Sequence, residues 1–175
     1  MEFELFFTKF PKIAAAQTRG IRILDDQQAL PEGEYGFFNA FCNDKKCDCR
    51  RAMIHVYRSD QHRNNFRIAV LSYGWEPKSF YLKWSPGMLK EELACFKGPA
   101  IEPFQPQSQY AGAALDIFEE MLKDSKFANR FITEYVLFKW KSGMKLPKDL
   151  LPRLRLLDDC PCGSGQKLKF CCGIK

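Results

Sequence analysis

The sequence predicts an α+β fold: an antiparallel β-meander of about four to five strands packed with two to three helices, and a small cysteine-rich knuckle at the C-terminus. Three observations predict it. Short apolar segments with strand alternation crowd the first half of the chain. After Ser85 they give way to apolar stripes at helical spacing. Four of the eight cysteines then fall in the last sixteen residues, a stretch too short to build a core of its own.

The 175 residues amount to one ordinary domain, or one with a small appendage. Hydrophobic residues at 46 % and charged residues at 27 % suit a globular body. The first seventeen residues hold Phe3, Leu5, Phe6, Phe7 and Phe10 with Pro11 among them, and fit no single element. Thr18 to Leu24 reads as a short strand, because Ile21 and Ile23 alternate with Arg22. Pro31 and Gly33 mark a turn, and Tyr35 to Phe41 follows as an aromatic strand. Arg51 to Tyr57 is a strand with Ala52, Ile54 and Val56 on one face. The polar run from Ser59 to Asn65 reads as a hairpin loop, Phe66 to Tyr73 as the return strand, and Phe80 to Trp84 as one strand more.

Ser85-Pro86 has the form of a helix start, with a helix running to about Phe96 and ending at Gly98-Pro99. Residues 99–107 read as a proline-rich loop. Ser108 caps a helix to about Lys123, with Ala111, Ala114, Leu115, Phe118 and Leu122 on one stripe. A longer helix spans Ser125 to Trp140. Its face of Phe127, Phe131, Tyr135 and Phe138 predicts a central position over the sheet. The implied organisation is a body over 1–141, a basic Pro/Leu-containing linker over 142–157, and a cysteine motif over 158–175.

The charge is concentrated. Residues 139–175 hold nine Lys or Arg against three acids, which is the whole net excess of +6. A basic tail on a neutral body points to an anionic partner such as nucleic acid, the ribosome or a lipid surface; the alternative is a solubilising charged tail. No run reaches the roughly 18 apolar residues of a membrane span. The early Glu2, Glu4 and Lys9 do not fit a secretory signal, so a cytoplasmic location is expected. Disulfides are rare there, and clustered cysteines are more often metal ligands or catalytic groups.

Two clusters hold seven of the eight cysteines. The C-terminal one is Cys160-Pro-Cys162 and Cys171-Cys172, separated by a reversal through Gly163 and Gly165. Four soft sulfurs within such a short loop suit a tetrahedral zinc ion, and Leu168 and Phe170 can cover one side. A closed four-cysteine site leaves no place for substrate, so it is structural. Bound zinc offsets only half of four thiolate charges, so a loaded tail is less basic than its formal count.

The first cluster is Cys42, Cys47 and Cys49, a C-x4-C-x-C pattern between two strands. Three thiols can grip a second zinc if a fourth ligand arrives. Cys95 is the simplest choice, with His55 and Asp44 as rivals. Arg50 and Arg51 can offset thiolate charge, and a redox role for thiols beside arginine ranks lower. His62, in a polar loop, reads as solvated.

The pattern Cys160-Pro-Cys-Gly-Ser-Gly, with Lys167, Lys169 and Cys171-Cys172-Gly173, resembles the SEC-C motif at the C-terminus of the translocase motor SecA and of many unrelated bacterial proteins. The resemblance covers about a tenth of the chain. It implies a structural zinc on Cys160, Cys162, Cys171 and Cys172, with Cys172 where SecA can place a histidine. SEC-C tails often contact proteins or ribosomes. The body also resembles uncharacterised bacterial proteins labelled zinc-chelating SEC-C proteins, in which a segment like Cys42 to Arg51 precedes a strand. That implies metal at the first cluster without implying a reaction.

Three functions compete on these grounds. One is a zinc-binding interaction or adaptor protein. Another is an enzyme with an open three-cysteine zinc site. The third is a nucleic-acid binder using Arg153, Arg155, Lys167 and Lys169, although Phe170 is the only aromatic after Trp140. The chain carries no phosphate-binding glycine loop, H-E-x-x-H or G-x-S-x-G element, and lacks the H-x-E and P-C-x-x-C pair of the zinc deaminases.

Overall fold

The computed structural model describes residues 2–24, 29–59 and 65–173. Among them six strands form one antiparallel sheet: β1 (Phe3–Leu5), β2 (Arg19–Ile23), β3 (Gly33–Cys42), β4 (Arg51–Ser59), β5 (Asn65–Gly74) and β6 (Ala100–Ile101). The order is β1-β3-β4-β5-β6, and β2 also pairs with β3. β3 is long enough to hold two partners on one edge. β2 pairs with its beginning, Ile23 opposite Gly33, and β1 with its end, Phe3 opposite Cys42.

Alternation decides which face is covered. Phe37, Phe41, Ala52, Ile54, Val56, Ala69 and Leu71 are buried beneath a helical layer. That layer is α1 (Phe6–Lys9), α2 (Pro11–Gln17), α5 (Ala111–Leu122) and α6 (Ser125–Lys141). Aromatic rings join the layers: Phe37 stacks on Phe118, Phe41 meets Tyr135 and Phe138, and Tyr73 meets Phe131. Each of the fully buried rings among them stabilises by about 1.5–3 kcal/mol through removal from water, and the half-buried Tyr73 by less. α6 is therefore the central helix, as its apolar face predicts. On the opposite face, α3 (Lys78–Trp84) and α4 (Lys90–Lys97) cover only the end near Arg51. No helix among the described residues is long and apolar enough to cross a membrane.

Several elements differ from expectation. Phe80 to Trp84 lies in helix α3, not a strand. Five residues with apolar side chains at Phe80 and Trp84 satisfy a one-turn helical spacing as well as alternation, and Pro77 starts the helix as its N-cap. Ser85 ends α3, its N–H donating to Tyr81 O at 2.9 Å, so the next helix starts only after Leu89. There Glu92 Oε2 accepts from Leu89 N at 2.9 Å. β6, two residues long, lies inside the expected loop. Ser108 sits just before α5; its Oγ donates to Ile68 O at 2.8 Å and accepts from Tyr110 N. The tip of the hairpin expected between Ser59 and Asn65, His62 included, lies outside the described residues.

The C-terminal segment lies against the helical layer. Leu146, Leu150, Cys160 and Leu168 are buried in the same apolar cluster as Phe127 and Leu137 of α6.

Candidate metal centres

The C-terminal site is built by a miniature hairpin. Asp159 bridges Lys167, and Cys160 N–H donates to Gln166 O at 2.7 Å. Gly163 and Gly165 turn the chain at φ 78° and 72°, angles that a side chain strongly disfavours. A single 3-10 turn, Leu168–Phe170, then delivers Cys171 and Cys172. Gly173 N–H donates to Leu168 O, and a Cβ at Gly173 would stand only 2.6 Å from that oxygen, so glycine is required there.

This geometry brings the sulfurs of Cys160, Cys162, Cys171 and Cys172 within 4.8 Å of one another, as free thiols. Cys162 and Cys171 sulfurs are 3.6 Å apart, and those of Cys171 and Cys172 3.8 Å. Four sulfurs so placed can hold a metal ion. Their proton affinities differ. Hydrogen bonds from Ser164 and then Cys160 pull Cys162 down to about 6. Burial pushes Cys160 and Cys172 up.

The first cluster forms at the turn from β3 to β4. Cys42, Cys47 and Cys49 place three sulfurs within 4.8 Å, with Cys42 and Cys49 buried. The other two thiols donate to Cys42 and hold it well below the ordinary thiol range. Cys47 and Cys49 are pushed up, chiefly because they donate to Cys42.

No fourth sulfur, imidazole or carboxylate joins this group among the described residues. Cys95 lies apart on α4, where its carbonyl accepts from Ser72 Oγ at 2.6 Å and its side chain lines a groove with Phe3, Arg51 and Phe96. The packing of α4 thus leaves Cys95 outside the group, contrary to its expected place as fourth ligand. Asp44 uses Oδ1 to accept from Lys46 N, and His55 sits in mid-strand opposite Phe38 and Val70.

The residues that brace this loop come from afar. Lys139 of α6, fully buried, donates through Nζ to Asp44 O at 2.9 Å, and its charge favours the thiolates of Cys42 and Cys47. Tyr135 Oη donates to Asp48 Oδ1 at 2.9 Å and accepts from Arg50 N at 3.4 Å. Arg50 holds a left-handed φ of 45° and a fan of carboxylates: Asp48, Glu76 at 3.0 Å and Asp149 at 2.7 Å. Arg51 is committed to Glu102 at 2.6 Å. Both arginines therefore serve carboxylates, and the cation beside the thiols is Lys139. Nothing in the cysteine spacing signals Lys139 or Tyr135; only their place on the buried face of α6 does.

On the basic tail, Arg153 and Lys169 are exposed, as are Leu157 and Phe170. Arg155 pairs with Asp158 at 3.4 Å and Lys167 with Asp159 at 2.7 Å, which reduces the free charge.

Compared with protein-family models, curated proteins and solved structures, the chain matches none of them.

Proposed function

We propose that this is a cytoplasmic zinc-binding interaction protein with a SEC-C tail, in which zinc has a structural role. The observation that carries the reading is the four-sulfur group. Zinc at about 2.3 Å from each of four tetrahedral sulfurs requires sulfur separations of about 3.8 Å. The separations of 3.6 and 3.8 Å already lie there. Cys160, Cys162, Cys171 and Cys172 hold this zinc, and the SEC-C pattern of residues agrees with that assignment. Thiolate donors also favour zinc over harder divalent ions.

Cys42, Cys47 and Cys49 hold a second zinc, with Lys139 tempering the charge of the site. The partner, a protein or the ribosome, meets the exposed apolar Leu157 and Phe170 and the exposed basic Arg153 and Lys169 of the tail. Elemental analysis of protein purified without a metal-chelating tag should give close to two zinc ions per chain, and Cys162→Ser with Cys171→Ser should remove one. Zinc-free reduced protein would overturn the reading. Partner capture should weaken in zinc-loaded Phe170→Ser with Lys169→Ser; capture of every partner as before would remove the adaptor role.

A second reading rests on the three-sulfur count of the first cluster. If water completes that zinc, the site is open and an enzyme becomes the better description. X-ray absorption of the Cys162→Ser, Cys171→Ser variant, whose remaining zinc sits at the first cluster, distinguishes them: a fourth donor from the protein points to a structural site, and an exchangeable water oxygen to an open one.

A further inference from the structure

The sheet face away from α5 and α6 has a bare strip. Gly20 and Gly36 are register partners on β2 and β3, so no side chain rises from either strand there. The ring of Phe38 lies across Gly36: a Cβ at Gly36 would stand 2.6 Å from the ring edge. Such a ring is held down on the backbone, where it covers the glycine rather than standing upright. Tyr57 meets Phe38 edge-on at 5.8 Å, and Phe7, 42 % exposed, meets it from the other side at 6.4 Å.

Two recesses flank the Phe38–Tyr57 pair. One, of about 400 Å³, has the glycine strip as its floor and Arg22, Glu34 and Ser59 at its rim. The other, of about 350 Å³, lies toward Leu5 and Phe7. Asn65 borders both.

We propose that this face binds single-stranded nucleic acid, with successive bases in the two recesses and Phe38 and Tyr57 as the stacking surface between them. A base needs a flat apolar surface and polar groups at its edge. Glu34 supplies acceptors, Asn65 supplies both donor and acceptor, and Ser59 a hydroxyl. Phosphates need cations. Arg22 borders the first recess, and Arg67 stands beside Tyr57 in register; both are exposed, and neither is ion-paired to a described residue. Two adjoining recesses favour a strand over a mononucleotide. A duplex cannot offer its base faces. This site is separate from both cysteine clusters and from the basic tail, so it stands or falls independently of the zinc reading.

The test is fluorescence anisotropy of the full chain, as purified under reducing conditions, with labelled pyrimidine oligonucleotides of about eight residues, set against the same sequence as a duplex and against the mononucleotide. The strand should bind best. Phe38→Leu and Tyr57→Leu, which keep apolar bulk, should each weaken it at least about fivefold. Two phosphate contacts should give a salt dependence of log K near about −1.4 per log unit. If Phe38→Leu does not fold, Tyr57→Leu and the pair Arg22→Ser with Arg67→Ser carry the test. Equal affinity for duplex or mononucleotide, no binding at low salt, or loss only in Arg153→Ser with Lys169→Ser would overturn the proposal.

Discussion

A buried carboxyl shows how single residues set the pH response of this fold. Glu134 of α6 is 4 % exposed, and burial pushes its carboxyl up to about 7, although the Asn39 amide, donating at 2.7 Å, and the Arg130 guanidinium both pull it down. In the unfolded chain the same group ionises near pH 4.5. Between those two values the folded state holds a proton that the unfolded state has released. Stability therefore falls as pH rises through this window, by an order of a few kcal/mol in all. Glu134→Gln keeps the shape and the Asn39 contact but cannot ionise. Urea unfolding from pH 4.5 to 8 should show this decline in the native chain and a flatter profile in the variant. Identical profiles would mean that water reaches Glu134 and relieves its burial.

At the scale of elements, α6 and the β3–β4 turn act as one unit. Tyr135 holds Asp48, which lies between two of the sulfur-bearing residues, and also receives the N–H of Arg50. Groups that orient a ligand loop commonly govern metal affinity by 10- to 100-fold. Tyr135→Phe should thus lower zinc affinity at the first cluster by about tenfold, read by competition with a chromophoric chelator, while the tail site keeps its own affinity. A lower unfolding midpoint with unchanged affinity would assign Tyr135 to packing alone. The same elements show what a sequence reading can reach. Ile21, Ile23 and the Ala52-Ile54-Val56 alternation identify β2 and β4, because the pattern is local. The tail cysteines are legible for the same reason: spacing and glycines lie within one short loop. Lys139 and Tyr135 are not, since they meet their partners across 95 and 87 residues of chain. Cys95 stays outside the cluster because α4, which carries it, packs on β5, and no local pattern in the sequence signals that packing. Helix α3 is not legible, because seven residues are too few for a helical period to stand apart from strand alternation.

Across the whole molecule, the four-cysteine tail belongs to the core it closes. Cys160 and Leu168 are 4 % and 3 % exposed, inside the cluster that contains Phe127 and Leu137, and Pro161 lines a cleft with Leu137 and Arg130 of α6. Deleting the tail would therefore strip cover from α6 as well as remove a contact surface, so point variants of exposed residues are the cleaner probe of a partner. It also follows that metal loss should be felt by the body. Without zinc, four thiols share one small turn, and burial keeps Cys160 and Cys172 protonated. Losing the docked Leu168 side chain costs about 1.5–3 kcal/mol, and in a chain of this size each kcal/mol moves the thermal midpoint by about 2–4 °C. Chelation should thus lower the midpoint by roughly 3–12 °C, and Cys172→Ser should lower it similarly, without chelator. Because binding zinc must expel the protons of both Cys160 and Cys172, apparent affinity should rise with pH and fall by about a hundredfold or more for each unit of acidification near neutrality. Calorimetry with and without chelator at pH 6 and 8 checks both effects. A midpoint indifferent to chelator, in protein shown to have lost its zinc, would mean that the tail rests on α6 without supporting it.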